Sequence, residues 1–394
     1  MENLAASADA PYDALIVGAG PAGSTAGRLL AAAGLKVALL DKARFPRSKT
    51  CGGGLILRSL ARLPPAAAAT VERACFEAEM NFLASGLSFH VRRKQPVVAM
   101  AMRDRFDHAL VQAAVASGAQ LCEECPVESV VQNAEGVQLR TPRGVFSGRF
   151  AIAADGALGR MAALAGFLDG RLLIPALEAE VHVAAPILAS FGQRARFDFE
   201  LVPDGYAWVF PKADHLSIGV LAAAPGEARL QQRLEEYLRR LDIVPLRIEK
   251  HGYVIPVRPR RPPYAKGRVL LAGDALGLAD ALTAEGISSA LRSGEVAAHA
   301  ILDGGGAARR VARLYQRGLR RELLRELAWS RRLAHILYFK PRLRAFLFRR
   351  CGQQLCEVLT DCLLGEERLP QALLNPRRWI KLLASLTARV PGGS

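Results

Sequence analysis

The stretch "YDALIVGAGPAGSTAGRLLAAAGLKVALLDK", Tyr12 to Lys42, reads as strand, glycine turn, helix and second strand. Ala14 to Val17 is a short apolar run suited to a strand buried on both faces. Gly18, Gly20 and Gly23 supply G-x-G-x-x-G, Thr25 to Ala33 reads as a helix that Gly34 ends, and Lys36 to Leu40 reads as the next strand. In such a unit the first glycine permits a tight turn, the second lets the backbone approach a pyrophosphate, and the third lets helix pack on strand. The helix N-terminus then offers free N–H groups and a partial positive charge to phosphates. Asp41 lies 18 residues after Gly23, where a carboxylate can accept hydrogen bonds from a ribose, and Lys42 adjoins it. The combination predicts dinucleotide binding; the alternative is a glycine-rich turn of some other α/β protein.

The surrounding composition is globular. The chain has 394 residues, 51% hydrophobic and 23% charged, a length that predicts two or three domains. Lys and Arg number 53 against 37 Asp and Glu, a formal +16 that favours an anionic partner over none. Seven scattered cysteines and an acidic start, "MENLAASADAPYD", read as reduced thiols in a chain without a secretion signal. No charge-free run of 18 apolar residues suggests a membrane span. The expected location is the cytoplasm, with a membrane surface as a resting place.

Three later segments separate FAD from NAD. "MRDRFDHALVQAAVASGAQL" starts at Met102, carries Arg103 and continues as an amphipathic helix. "AIAADGALGRMA" is an apolar strand followed by Asp155 and Gly156. "GRVLLAGDALGLADALTAEGISSA" is another apolar strand, then Gly273-Asp274, then a helix expected from about Glu285 with Thr283 as its cap. A buried strand ending in Gly-Asp puts a carboxylate at the sheet's carboxyl edge, where open α/β sheets bind ligands. Asp274 could there accept hydrogen bonds from a ribityl chain, while the helix dipole stabilises an anionic reduced ring.

With these segments in order, "VGAGPAG", "CGGGL", "RDRFD", "ADGA", "GYAWVFPK" and "GDALGLADALTAEGI", the chain resembles the geranylgeranyl reductase family of FAD-dependent oxidoreductases, from about residue 12 to 302. That family shares the p-hydroxybenzoate hydroxylase fold. The resemblance implies that Gly18, Gly20, Gly23 and Asp41 hold the ADP part of FAD. It places Arg103 and Asp155 against the cofactor, Asp274 at the ribityl and phosphate region, and Gly286 with Ile287 at the isoalloxazine edge. Gly52, Gly53 and Gly54 would run along the ring, where side chains would collide with it, and Cys51 would lie near the flavin. Cys51 has two readings: a proton donor or redox thiol favoured by Lys49, Arg47 and a nearby helix start, or a small residue packed against the ring.

"DGYAWVFPKADHLSIGV" reads as two strands joined by a turn at Lys212 to His215. Tyr206, Trp208 and Phe210 alternate and share one face. In the family this strand walls a substrate cavity for a polyprenyl tail; ordinary sheet packing is the alternative. The family pattern ends in Gly-x-Gly, whereas Gly219 is followed here by Val220 and Leu221, a departure that bears on the substrate.

The C-x-x-C at Cys122 and Cys125 lacks a second ligand pair and reads as coincidence rather than a metal or disulfide site. The seven histidines read as dispersed, with His215 and His251 the ones to watch near the cavity, so no metal site is expected. From Arg309 to Arg350, thirteen Arg and Lys340 face only Glu322 and Glu326, in a helical pattern with interleaved Leu, Ala and Phe. Such helices can lie on anionic lipid with Leu, Trp329, Tyr338 and Phe339 partly inserted; a solvated cap on the substrate domain is the alternative, and nucleic acid the disfavoured partner.

The expected fold is α/β. A Rossmann-type FAD-binding domain comes from residues 10–75, 100–165 and 262–303, with an inserted, mostly antiparallel β-sheet substrate domain from 76–99 and 166–261. A basic helical C-terminal region, 304–394, follows. The expected activity is reduction of C=C bonds in a polyprenyl substrate by hydride from reduced FAD, with NAD(P)H or ferredoxin as electron donor. A flavin monooxygenase or halogenase is the strongest rival. Halogenases of this fold usually carry a catalytic lysine and a Trp-x-Trp-x-Ile-Pro motif, where this chain has Tyr206 and Phe210 for the first Trp and the Ile. An RNA-binding flavoprotein is the third reading. Oligomeric state is left open.

Overall fold

The computed structural model describes residues 11–224, 229–364 and Gln371. The opening unit forms as its pattern requires: strand Tyr12–Val17, helix Pro21–Ala32 and strand Val37–Leu40. Both strands are apolar and sit in the middle of an eight-stranded sheet, so they are buried on both faces. Tyr12–Val17 pairs in parallel with Val37–Leu40 on one side and with Gly144–Ala153 on the other. Gly144–Ala153 in turn pairs in parallel with Val269–Leu271, the strand that ends at Gly273-Asp274. The carboxyl ends of four sequence-distant strands therefore meet along one edge.

Helices Pro21–Ala32, Arg103–Ala116 and Ile287–Gly304 pack against this parallel core. Gly294 lets two of them touch: a Cβ there would stand 2.2 Å from the Ala22 carbonyl oxygen.

The second sheet has seven strands, in the order Arg247–Arg258, Leu172–His182, Leu216–Ala222, Gly205–Pro211, Arg194–Phe199, Glu77–Phe82 and Leu87–Arg92. All neighbours are antiparallel except Arg194–Phe199 with Glu77–Phe82. Of the expected contribution of residues 76–99, Glu77–Phe82 and Leu87–Arg92 belong to this sheet. Val98–Ala101 pairs instead with Gly54–Leu55 and Val71–Cys75 in a three-stranded sheet that carries the Cys51 loop.

Residues 365–370 and 372–394 of the basic region lie outside the described residues; the rest forms helix Ala308–Leu319, a π-helical turn Arg320–Leu324, helix Arg325–Phe339 and helix Pro341–Leu364, kinked at Cys351. It folds back over the seven-stranded sheet. Phe348 lies between Phe82 and Phe89, and Tyr338 is buried with its hydroxyl donating to the Leu282 carbonyl at 2.6 Å. Tyr338 therefore faces the core and is not available for insertion into lipid. Trp329 is half-buried against Cys362. The apolar side chains that do face outward lie near the bend between the last two helices: Phe339, Leu343 and Phe346.

Candidate active site

A single cavity of about 900 Å³ runs from the glycine turn to the inner face of the seven-stranded sheet, roofed by the C-terminal helices. At one end its wall is backbone. Gly18 adopts φ +96°, and a Cβ there would sit 2.4 Å from the Ala154 carbonyl, so the turn needs glycine. A Cβ on Gly23 would lie 1.8 Å from the Gly18 carbonyl, where helix meets turn; Gly23 packs behind the cavity wall. Gly20 is different: nothing but the Arg47 guanidinium comes within 4 Å of its missing Cβ, and the residue opens onto the cavity.

Asp41 is buried at the end of Val37–Leu40 and accepts the N–H groups of Ala19 at 2.7 Å and Ala43 at 2.9 Å, one on each carboxylate oxygen. It braces the glycine turn and still lines the cavity, with lone pairs left for a further donor. Lys42 is exposed at the rim beside it. Asp155 accepts the Met161 N–H at 2.9 Å through one oxygen, while its other oxygen is buried in the cavity wall with no partner among the described residues. Burial raises its pKa. Asp274 is half-buried in the same wall, its pKa raised by lost solvation against the opposing pull of Lys49, Arg103 and Arg171.

Arg103 grips Asp107 with two 2.8 Å hydrogen bonds, and Cys51 is among the groups that raise its pKa. Arg47 pairs with Asp107 at 3.1 Å. Arg103 and Cys51 both face the cavity. The helix expected from Glu285 begins at Ile287 with Gly286 as its cap residue, and Thr283 does not cap it. Thr283 donates instead to Asp280, and Glu285 accepts the Ser288 N–H at 2.7 Å, so the capping role passes to Glu285. Burial pushes Glu285 up to about 7. Gly286 and Ile287 line the cavity, Gly286 with its missing Cβ 3.5 Å from Asp274 Oδ1.

The backbone cradle at Gly20, the helix start at Pro21 and Ala22 that lines the cavity, and the half-satisfied Asp155 fit the phosphates and hydroxyls of an FAD. A family model for the FAD binding domain matches residues 11–300. A digeranylgeranylglycerophospholipid reductase of Methanopyrus kandleri is 32% identical over 313 residues, covering 73% of this chain and 79% of that protein. The chain belongs to the geranylgeranyl reductase family of FAD-dependent oxidoreductases. In fold it is similar to a geranylgeranyl bacteriochlorophyll reductase-like protein of Thermoplasma acidophilum, with a TM-score of 0.77 at 21% identity over 94% of this chain and 99% of that one. It is also similar to the halogenase PltM, with a TM-score of 0.70 at 19% identity over 97% and 87%.

In this oxidoreductase the Cys51 loop is crowded on its protein side. The glycines are required by protein neighbours. A Cβ on Gly52 would come 3.0 Å from Trp208 Nε1 and 3.1 Å from the Phe210 ring. Gly53, at φ +67°, would press the Ala101 carbonyl at 2.1 Å and Lys212 Nζ at 2.5 Å. The loop is pinned to the aromatic strand on that side, and its residues still line the cavity. Cys51 is half-buried, with its sulfur 3.4 Å from the Gly53 N–H. Lys49 sits 3.5 Å over the Tyr253 ring, its pKa lowered by burial and by Arg103.

At the other end the wall is side chain. Tyr206, Trp208 and Phe210 face the cavity with Phe197 and Phe199, and Tyr206 donates to the Thr283 carbonyl at 2.6 Å. Trp208 lies over Gly219, where a Cβ would meet its ring at 2.1 Å, and its buried Nε1 has no partner among the described residues. Leu323, Leu327, Ser330 and Leu337 complete the wall from the C-terminal helices.

Sequence reasoning missed a line of polar groups on the strand Leu172–His182. Glu178 lines the cavity, buried, and accepts the Ser217 hydroxyl at 3.0 Å. It hydrogen-bonds Glu180, and Glu180 meets His215 Nε2 at 2.8 Å. His215 Nδ1 meets Asp214 at 2.6 Å, and Asp214 is largely exposed. Two glutamates on one face of a buried, otherwise apolar strand were the available signal. Neither His215 nor His251 lines the cavity: His215 is buried behind it and His251 is exposed.

The histidines are less dispersed than expected, since ligand atoms of His182, Asp214 and His215 lie within 4.8 Å of one another. Both His215 nitrogens already hold carboxylates, so a cation there would have to displace one. Cys122 and Cys125 are free thiols, as are the other five cysteines. No helix among the described residues is long and apolar enough to cross a membrane.

Proposed function

We propose that this oxidoreductase saturates C=C bonds in the polyprenyl tail of a lipid or quinone-like substrate. One observation carries the reading: the same cavity that the glycine turn lines continues to an aromatic and aliphatic wall roofed by helices, an apolar lining that suits a hydrocarbon tail. Relatives named digeranylgeranylglycerophospholipid reductase, geranylgeranyl diphosphate reductase and menaquinone reductase support it. When bound, FAD supplies a hydride equivalent once reduced, with NAD(P)H or ferredoxin as the proposed source of electrons. The chain's own residues do the rest. Gly18, Gly20, Asp41, Asp155 and Asp274 hold the cofactor, the aromatic strand orients the tail, and the roof helices exclude water. A basic surface flanking Phe339, Leu343 and Phe346, with Lys340, Arg342, Arg349 and Arg350, would rest on anionic lipid from which such a tail is drawn.

The test is anaerobic. Photoreduced protein is mixed with a geranylgeranyl-bearing lipid, and flavin reoxidation and lipid mass are followed together. Reoxidation with a gain of two hydrogens per step supports the reading. Turnover only on admission of air, with a hydroxylated product, would transfer the chain to oxygen chemistry. Sedimentation with anionic but not neutral vesicles checks the surface, and competition by RNA would count against it.

A further inference from the structure

We propose that Glu178, Glu180, His215 and Asp214 form a proton relay that carries protons from solvent to the cavity beside Cys51. The inference rests on the C=C reduction proposed above, because that reaction consumes a proton with every hydride. The four groups are in continuous hydrogen-bonded contact. Asp214 is at the surface, with a side chain 75% exposed, and meets His215 Nδ1 at 2.6 Å. His215 Nε2 meets Glu180 at 2.8 Å. Glu180 shares a hydrogen bond with Glu178, and Glu178 faces the cavity. Imidazole suits the middle of such a line, since it can take a proton on one nitrogen and release one from the other.

The environment sets each member's resting state. Burial, then the adjacent Glu180, raises the Glu178 pKa and keeps it protonated. Burial opposes ionisation of Glu180, but hydrogen bonds from His215 and Glu178 and the Lys212 charge outweigh it and lower its pKa. Burial also opposes the His215 imidazolium, yet Glu180 and Asp214 prevail and raise its pKa. Two carboxyls sharing one proton next to a histidine, with the proton on the cavity side, form a loaded donor. The other charged or titratable neighbours are Lys212, buried with Nζ on the Ala101 carbonyl at 3.1 Å; Cys51; and His182, whose ring is 5.0 Å from His215. On the adjoining strand, His251 stands opposite Glu178, Glu249 opposite Glu180 and Arg247 opposite His182, all exposed.

The step balances. One substrate carbon receives hydride from the reduced flavin. The π electron pair of the double bond takes the Glu178 proton onto the other carbon, breaking its O–H bond. The Glu178 carboxylate is then reprotonated through Glu180 as the charged His215 gives up its Nε2 proton; the neutral ring, left with its proton on Nδ1, turns over and takes a new proton from water at the Asp214 end on the nitrogen that gave one up.

The test has two arms. In the first, infrared difference spectra are recorded on the purified flavoprotein without substrate. They should show a protonated carboxyl band at neutral pH that shifts in D₂O, vanishes in Glu178→Gln and moves in His215→Gln. In the second, anaerobic single turnover with a geranylgeranyl-bearing lipid should slow about tenfold or more in Glu178→Gln and His215→Gln. His215→Gln should recover with added imidazole, and Glu249→Gln should match wild type. A missing carboxyl band, or wild-type rates and pH profiles in both relay variants, would overturn the proposal. If wild type itself forms no reduced lipid, the polyprenyl reading fails and the infrared arm alone decides the relay. Should Glu178→Gln not fold, His215→Gln and its imidazole response decide between relay and no relay.

Discussion

At the glycine-turn end the cavity wall is largely backbone, held at fixed distance by the pairing of parallel strands. At the aromatic end it is side chain, contributed by strands of the second sheet and by helices from the far end of the chain. The first end tolerates almost no change, because a carbonyl oxygen cannot move aside as a side chain can. The second can repack, and so can change what it accepts without losing the cofactor. Binding and specificity are thereby assigned to materials of different stiffness.

The sharpest break of this division is Gly23→Val. Its Cβ would fall 1.8 Å from the Gly18 carbonyl, so the purified protein should lack visible flavin absorbance and melt well below wild type. In the flexible half, Leu337→Trp fills the roof of the chamber. Flavin absorbance should be unchanged while kcat/KM for a long polyprenyl lipid falls at least about tenfold. An equal loss of flavin would show that the two halves are not separable.

The junction of the halves should respond to pH through Glu285, raised by burial to about 7. Its folded pKa lies above its unfolded value, so the stability it contributes is fully present below the ordinary glutamate range and is lost as pH rises towards 7. Thermal melts across that window should fall by a few degrees in wild type, and Glu285→Gln should flatten the fall. The smallest effect expected is Tyr206→Phe, which removes one hydrogen bond to the Thr283 carbonyl. It should cost about 1 kcal/mol, read as a small drop in Tm with flavin retained.

The same division explains what is legible in the sequence. Gly18, Gly20, Gly23 and Asp41 act through turn geometry and helix ends, which depend on neighbours in sequence. The period-two alternation of Tyr206, Trp208 and Phe210 places them on one face without knowledge of their partners. Contacts made across the fold leave no such local trace. Gly52 and Gly53 are crowded, as their run predicts, but the crowding comes from Trp208, Phe210, Ala101 and Lys212. Tyr338 belongs by pattern to an exposed stripe, and the chain's return over the second sheet turns it inward. His182 and His215 are joined by the pairing of Leu172–His182 with Leu216–Ala222, and strand register is a tertiary property. The helix starts at Ile287 rather than Glu285 because Thr283 is drawn to Asp280.

The roof over the aromatic chamber has a consequence for assembly. Every strand of all three sheets, and the helix Ile287–Gly304, precede the first residue of the roof in the chain. Since synthesis delivers N-terminal segments first, a nascent chain can complete the cofactor's seat while the chamber still lies open. The bulky nucleotide can then enter from the side that the last helices later cover. Order of emergence would do what a mobile door does in other enzymes: admit the cofactor once and close behind it.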